Sequence, residues 1–334
     1  MSLRPFTSSQ NFPDTDVPSK DDKGVIYYGP GYHKLSSPIV VGSGETLYLA
    51  GGAVVSAPDI TVTNSSEFTL RGRGFYTAKG QRYEYPVVQE RPRRGLVGIN
   101  FFPRTFEAKD ITFRRWCFSA VKWGDGIDLY SSRNILIDSV FYEILMTVSL
   151  FTTIATSHMA INSILWADVA HPINVGTHGN TKDPETVDGV TIRNIDILDQ
   201  REKQMLYQGT IALNAGDSNL IQNVLIEDVR VEDIRLGQLL NFRVMYNDKY
   251  NTSPGRGIRN VLVRNLRYDG RNAGTSIFTG YDEERTISNV TFENLVVNGL
   301  PISDTMQKPG WYFTTDFIPL YANEHVKNLT FKST

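Results

Sequence analysis

The sequence predicts an all-β chain wound as a single-stranded right-handed parallel β-helix, a solenoid. Three observations predict it. A short phrase recurs along the chain: a polar residue, often Asn or Asp, then apolar, small or apolar, apolar. The polar residue keeps the same corner of the phrase. That suits stacked rungs whose side-chain amides bond the rungs above and below, and a β-sandwich gives no reason to repeat it. No long amphipathic helical pattern interrupts the series.

Residues 1–23 are polar and rich in Pro, Ser and Asp without periodicity, so they read as an N-terminal arm or linker. The β-helix domain is expected over 24–334. It opens with β-branched and aromatic runs cut by glycine, such as Gly24-Val-Ile-Tyr-Tyr-Gly and Glu45-Thr-Leu-Tyr-Leu-Ala-Gly-Gly, which read as strands and tight turns. The phrase then appears as Asp110-Ile-Thr-Phe, Asn134-Ile-Leu-Ile and His158-Met-Ala-Ile. It continues as Gly189-Val-Thr-Ile, Asn223-Val-Leu-Ile, Asn260-Val-Leu-Val, Asn289-Val-Thr-Phe and Asn328-Leu-Thr-Phe. Steps of 24, 24, 31, 34, 37, 29 and 39 residues are those of a solenoid with loops of unequal length. Each phrase alternates inward and outward side chains, as a strand must.

Composition narrows the function. A net charge of −2 offers no basic field for nucleic acid. No apolar run approaches the ~18 residues of a membrane span. The single cysteine, Cys117, excludes an internal disulfide and reads as core. No His/Cys cluster has metal-ligand spacing, and no phosphate loop is present, so neither metal nor cofactor is expected. The Met-Ser-Leu opening looks like a trimmed start, which would hide a native export signal.

The densest chemistry lies between Trp123 and Asn180. It opens with Trp123-Gly-Asp-Gly-Ile-Asp, followed by Ser132-Arg-Asn-Ile-Leu-Ile, and closes with Ala170-His-Pro-Ile-Asn-Val-Gly-Thr-His-Gly-Asn. This ordered set resembles the β-helix glycoside hydrolases, namely the polygalacturonase family (family 28) with features of the dextranase and isopullulanase family (family 49), the latter over Trp166 to Gly176. The resemblance implies inverting cleavage of a polysaccharide by a secreted or periplasmic monomer. It places Asp125 at the water-activating carboxylate and His171 at the active-site histidine. The coil is expected to bring Asp125, the 146–147 rung and His171 side by side on one exposed face.

Two departures stand out. The family's cationic Arg-Ile-Lys strand has no match; its counterpart is Gln208-Gly-Thr-Ile-Ala-Leu-Asn, and Arg243 could supply a cation from a later rung. Met146 and Thr147 stand where the family carries an Asp-Asp pair, twenty-one residues after Asp125. Inverting hydrolysis needs an acid for the leaving oxygen and a base for the water, and neither side chain can serve. Glu143 is displaced by three residues, ~10 Å along a strand and on its other side. The segment 143–160 also lacks turn residues. Read one base early, its codons permit Asn-Thr-Asp-Asp-Cys and then Tyr-x-x-Arg-x-x-x-Tyr-Gly-Asp, a pattern associated with relatives of this chain. Met146-Thr147 always yields Asp and Met159-Ala160 always yields Gly. A compensated frameshift that erased the catalytic pair is the expectation.

Four further residues are candidate substrate contacts. His178 sits in a turn near His171 and reads as a sugar contact or a turn stabiliser. Asp217 follows a strand and reads as groove lining or a backbone cap. Arg243 is the late-rung cation. Tyr246 opens a long turn-rich segment with Lys249 and Tyr250, where tyrosines would stack on sugar rings. The alternatives to a weak or inactive hydrolase are a non-catalytic carbohydrate-binding coil and a β-helix lyase. The lyase would need an acidic calcium cluster and a catalytic Arg or Lys, and no such cluster is read.

Overall fold

The computed structural model describes residues 17–333, apart from 59, 63–64, 79–98, 101–110, 115–116, 120–126, 129–131, 139–140, 145–148, 152–154, 157–158, 168–170, 180, 182–183, 185, 202–208, 249–250 and 308–318. Among these residues the regular structure is β throughout, and every strand pairing but one is parallel. The chain is a parallel β-helix. One ladder runs its whole length. Val25–Tyr28 pairs with Thr46–Leu49, then Thr69–Gly72, Ile111–Arg114 and Ile135–Asp138. Met159–Ala167, Thr191–Arg201, Leu220–Val231, Gly257–Tyr268, Ile287–Glu293 and Val326–Lys332 continue it. Alternation drives one residue in two inward, so Leu47, Leu70, Ile137, Ala160, Ile192, Ile226, Val263 and Phe292 form one buried column.

The recurrent asparagine is the corner of the coil. Asn134, Asn223, Asn260, Asn289 and Asn328 all adopt φ between 54° and 56°, the left-handed region that Asn tolerates better than other residues bearing a Cβ. Each bend turns the strand without breaking its ladder. The amides then bond rung to rung: Asn328 Nδ2 donates to Asn289 Oδ1 (3.0 Å), Asn289 to Asn260 (3.2 Å), Asn260 to Asn223 (3.1 Å) and Asn223 to Asp188 Oδ1 (2.7 Å). A second ladder runs five residues after three of these corners, with Asn294 donating to Asn265 (3.1 Å) and Asn265 to Asp228 (2.8 Å).

One phrase is corrected. Met159 pairs with Leu136 and Thr191, which are the third residues of their phrases, so His158-Met-Ala-Ile is read one residue late. Packing gives the reason: Ala160 is the inward residue at 2% exposure, whereas Met159 points out at 41%.

A second stack of strands forms the face that carries the site candidates. Ile39–Val41, Ile60–Val62, Ile99–Asn100 and Ile127–Asp128 are paired in that order. Ile127–Asp128 lies against Ser149–Phe151. From there Ser149–Phe151, Ile173–Gly176, Ile211–Ala215, Leu240–Val244, Ser276–Thr279 and Leu320–Ala322 pair in sequence. Between the two faces the late rungs are filled by stacked aromatic rings, with Phe242 on Phe278 (centroids 4.6 Å apart) and Phe292 on Phe331 (4.9 Å).

Candidate functional site

Alternation sorts the second face into core-facing and outward-facing columns. Val175, Leu213, Phe242 and Phe278 are in register and belong to the core. Their strand neighbours therefore point away from it. One outward column is Asn174, Ala212, Asn241, Ile277 and Tyr321; another is Gly176, Asn214, Arg243 and Thr279. Exposure along the first rises from 2% at Asn174 and none at Asn241 to 54% at Tyr321. The outward face is covered at its His171 end and open at its C-terminal end. The buried amides Asn174, Asn214 and Asn241 went unremarked as a set in the sequence. Their signal was an Asn at alternate positions of Ile-Asn-Val-Gly, Ile-Ala-Leu-Asn-Ala and Leu-Asn-Phe-Arg-Val.

His171 stands two residues before Ile173, at the entry to its strand. It is only 5% exposed, and residues 171–177 are buried throughout, so the expectation of an exposed histidine is corrected. Burial, and secondarily the charge of His178, pushes its pKa down to about 3. A neutral imidazole that stays neutral near pH 7 can hydrogen-bond but is a poor proton shuttle. His178 is half-buried, and its carbonyl accepts from Asn219 Nδ2 at 2.6 Å.

Asp217 ties three turns together. Its Oδ2 accepts from the Gly179 amide (3.2 Å), and its Oδ1 accepts from Thr252 N (2.5 Å) and Thr252 Oγ1 (3.0 Å). Asn251 Nδ2 donates to the Thr177 carbonyl in the same knot. The packing tolerates nothing larger than glycine at Gly216, where an added Cβ would lie 2.4 Å from Asn251 Nδ2 and 2.5 Å from the Thr177 carbonyl oxygen. Backbone strain concentrates here: Thr177 has φ 74°, uncommon for a β-branched residue, and Asp217 and Ser218 have 48° and 62°. What the geometry shows of Asp217 is a clamp on the turn that carries His178.

Arg243 lies in the second outward column, and Tyr246 follows two residues past the end of its strand. Arg243 is half-buried, its Nε donates to Thr279 Oγ1 at 3.2 Å, and desolvation lowers its pKa. Tyr246 is 49% exposed. Asp125, Met146, Thr147, Lys249 and Tyr250 lie outside the described residues, as does the Gln208 that opens the Arg-Ile-Lys counterpart. Counting along the chain, Met146 precedes Ser149 by three residues, as His171 precedes Asn174, the register partner of Ser149. Among the described residues no group of three or more His, Cys, Asp or Glu could hold a metal ion. Nor among them is any helix long and apolar enough to cross a membrane.

No family model and no curated protein matches the sequence. Solved structures do match its fold. The Streptococcus pneumoniae surface protein and adhesin PfbA superposes with a TM-score of 0.59 at 12% identity, covering 92% of this chain and 81% of its own. Dex49A from Penicillium minioluteum gives 0.56 at 12% identity, covering 93% of this chain and 60% of its own. A Yersinia enterocolitica family 28 exopolygalacturonase gives 0.50 at 12% identity, covering 91% and 72%.

Proposed function

We propose that this chain is a polysaccharide-binding β-helix of the inverting-hydrolase type whose acid/base pair has been lost, leaving little or no turnover. The glycan path is the outward face of the second stack of strands. Asp125 is the water-activating carboxylate, and Met146 and Thr147 occupy the positions of the missing pair. His171 supports the site by hydrogen bonding. Secretion or periplasmic export fits a polysaccharide partner.

The observation that carries this reading is the order of three strands. Ile127–Asp128 lies against Ser149–Phe151, which pairs with Ile173–Gly176. Asp125, Met146 and His171 each precede one of these strands by two or three residues. Likeness to a family 28 exopolygalacturonase supports the hydrolase ancestry. The covered, neutral histidine supports the loss of proton-transfer chemistry.

The adhesin PfbA, of similar length and fold, favours a second reading in which glycan binding without turnover is the native task. Reducing-sugar release from a panel of acidic and neutral polysaccharides tests the first. The expected result is no release above the rate set by Asp125→Ala. Robust turnover that survives Asp125→Ala would remove the proposed site.

A further inference from the structure

Several arginines on the coil are paired with carboxylates, while Arg256 and Arg259 bond neutral groups from exposed positions. Arg230 pairs with Asp196, Arg235 with Asp199 (2.6 Å), Arg264 with Glu227 (2.9 Å) and Glu293 (2.8 Å), and Arg285 with Asp282. Arg243 differs. Among the described residues no carboxylate pairs with it, and its Nε donates to the neutral hydroxyl of Thr279. It is also more deeply buried than Arg230, Arg264 and Arg285, and burial lowers its pKa. A half-buried guanidinium without a counter-charge is costly unless an anion arrives from solution.

Its placement says what kind of anion. Arg243 points outward from Leu240–Val244, three strand spacings or about 14 Å past the Ser149–Phe151 rung. Its bond to Thr279 aims it at the next rung, toward the open end of the face. There Tyr321 stands on the outward column with 54% of its surface exposed, above the half-buried Ile277. A cation held by a hydroxyl, with an exposed aromatic ring two strand spacings or ~10 Å on, suits a chain of rings bearing charged substituents.

We propose that Arg243, Thr279 and Tyr321 form a distal subsite for a sugar carrying a carboxylate or sulfate group. Arg243 takes the anion and Tyr321 stacks on a neighbouring ring. The subsite rests on the reading of this face as a glycan path, but it lies away from the 146–147 rung and retains binding where hydrolysis is lost. Its preference is set by a later rung than the sequence counterpart of the family's cationic strand.

Titration calorimetry of the full chain with an oligogalacturonide, a sulfated oligosaccharide and a neutral dextran oligosaccharide tests it. The acidic probe that binds identifies the source of the anion. Arg243→Gln is expected to weaken that binding at least tenfold, about 1.4 kcal/mol, while leaving neutral binding within twofold. Arg243→Lys should keep part of the preference and Tyr321→Ala should weaken both classes. Arg259→Gln, on the opposite ladder, serves as the charge control, and matched thermal unfolding curves exclude misfolding. Equal affinity for acidic and neutral sugars, or an acidic preference that survives Arg243→Gln, overturns the subsite alone. Binding of no glycan at all overturns the subsite and the parent reading together.

Discussion

Replacing Asp217 should loosen the turn that carries His178 far more than it disturbs the coil. The carboxylate accepts three hydrogen bonds of 2.5–3.2 Å, from Gly179 N, Thr252 N and Thr252 Oγ1, with longer contacts to Ser253 N and Asn251 Nδ2 at 3.4 Å. Hydrogen bonds to a charged group contribute about 1.5–3 kcal/mol each, but these share one anchor and their donors partly rehydrate, so Asp217→Ala is assigned ~3–4 kcal/mol rather than the sum. Part of that is conformational, because φ is 48° at this position and alanine tolerates the left-handed region less well than Asp or Asn. Asp217→Asn keeps the backbone preference and one acceptor oxygen, and should cost about half as much. With an unfolding entropy of ~2.1 cal/mol/K per residue, the 334-residue chain loses about 1.4 °C of Tm per kcal/mol. The alanine variant should therefore melt ~4–6 °C lower and the asparagine variant ~2–3 °C lower. Hydrogen exchange adds a local readout: amides 179, 252 and 253 should exchange faster in both variants, while those of Leu220–Val231 keep their protection. Equal losses for Ala and Asn, or unchanged exchange at 179 and 252, would refute the clamp.

Three other expectations follow from the same geometry. Asn260→Ala interrupts the amide ladder between Asn289 and Asn223 and places alanine at φ 56°, so it should cost ~1–3 kcal/mol. Asn260→Gly, which removes the ladder bonds but not the backbone freedom, should cost measurably less in thermal melts. His171 has a folded pKa of about 3 against an ordinary 6.5, so the unfolded chain takes up its proton first as pH falls. Its contribution is full above pH 6.5 and is lost as pH drops toward 3, at roughly 1.4 kcal/mol per pH unit. His171→Gln should flatten the fall in Tm between pH 6.5 and 4. The gene should encode Leu145 with a codon ending in G, as a compensated frameshift across 143–160 requires; any other third base there removes the frameshift account.

Much of the coil was legible because its corners are chemical necessities. An asparagine that both tolerates positive φ and bonds its copies leaves the same mark in every rung, and Asn223, Asn260, Asn289 and Asn328 were visible for that reason. The second ladder through Asp228, Asn265 and Asn294, five residues after those corners, was missed because Glu-Asp-Val, Arg-Asn-Leu and Glu-Asn-Leu look like ordinary outward polar positions. The slip at His158 has a similar origin: Met-Ala-Ile satisfies alternation in either register, and only cross-strand pairing with Leu136 shows that Ala160 faces the core. The site was less legible. Burial of His171 depends on what lies over the sheet, which local sequence does not record. The role of Asp217 depends on donors at Thr252 and Ser253, 35 and 36 residues later, brought to it by the coil. Tyr321 escaped notice because nothing in Leu-Tyr-Ala distinguishes an outward groove position from an ordinary exposed strand end.

A crystal structure with a bound oligosaccharide tests the central claim most directly. The account predicts a sugar chain lying along the open part of the outward face, from Arg243 on Leu240–Val244 to Tyr321 on Leu320–Ala322, nearly parallel to the coil axis, with one ring against Tyr321. A sugar seated on the asparagine-ladder face, or a clear outward face at saturating ligand, would contradict it.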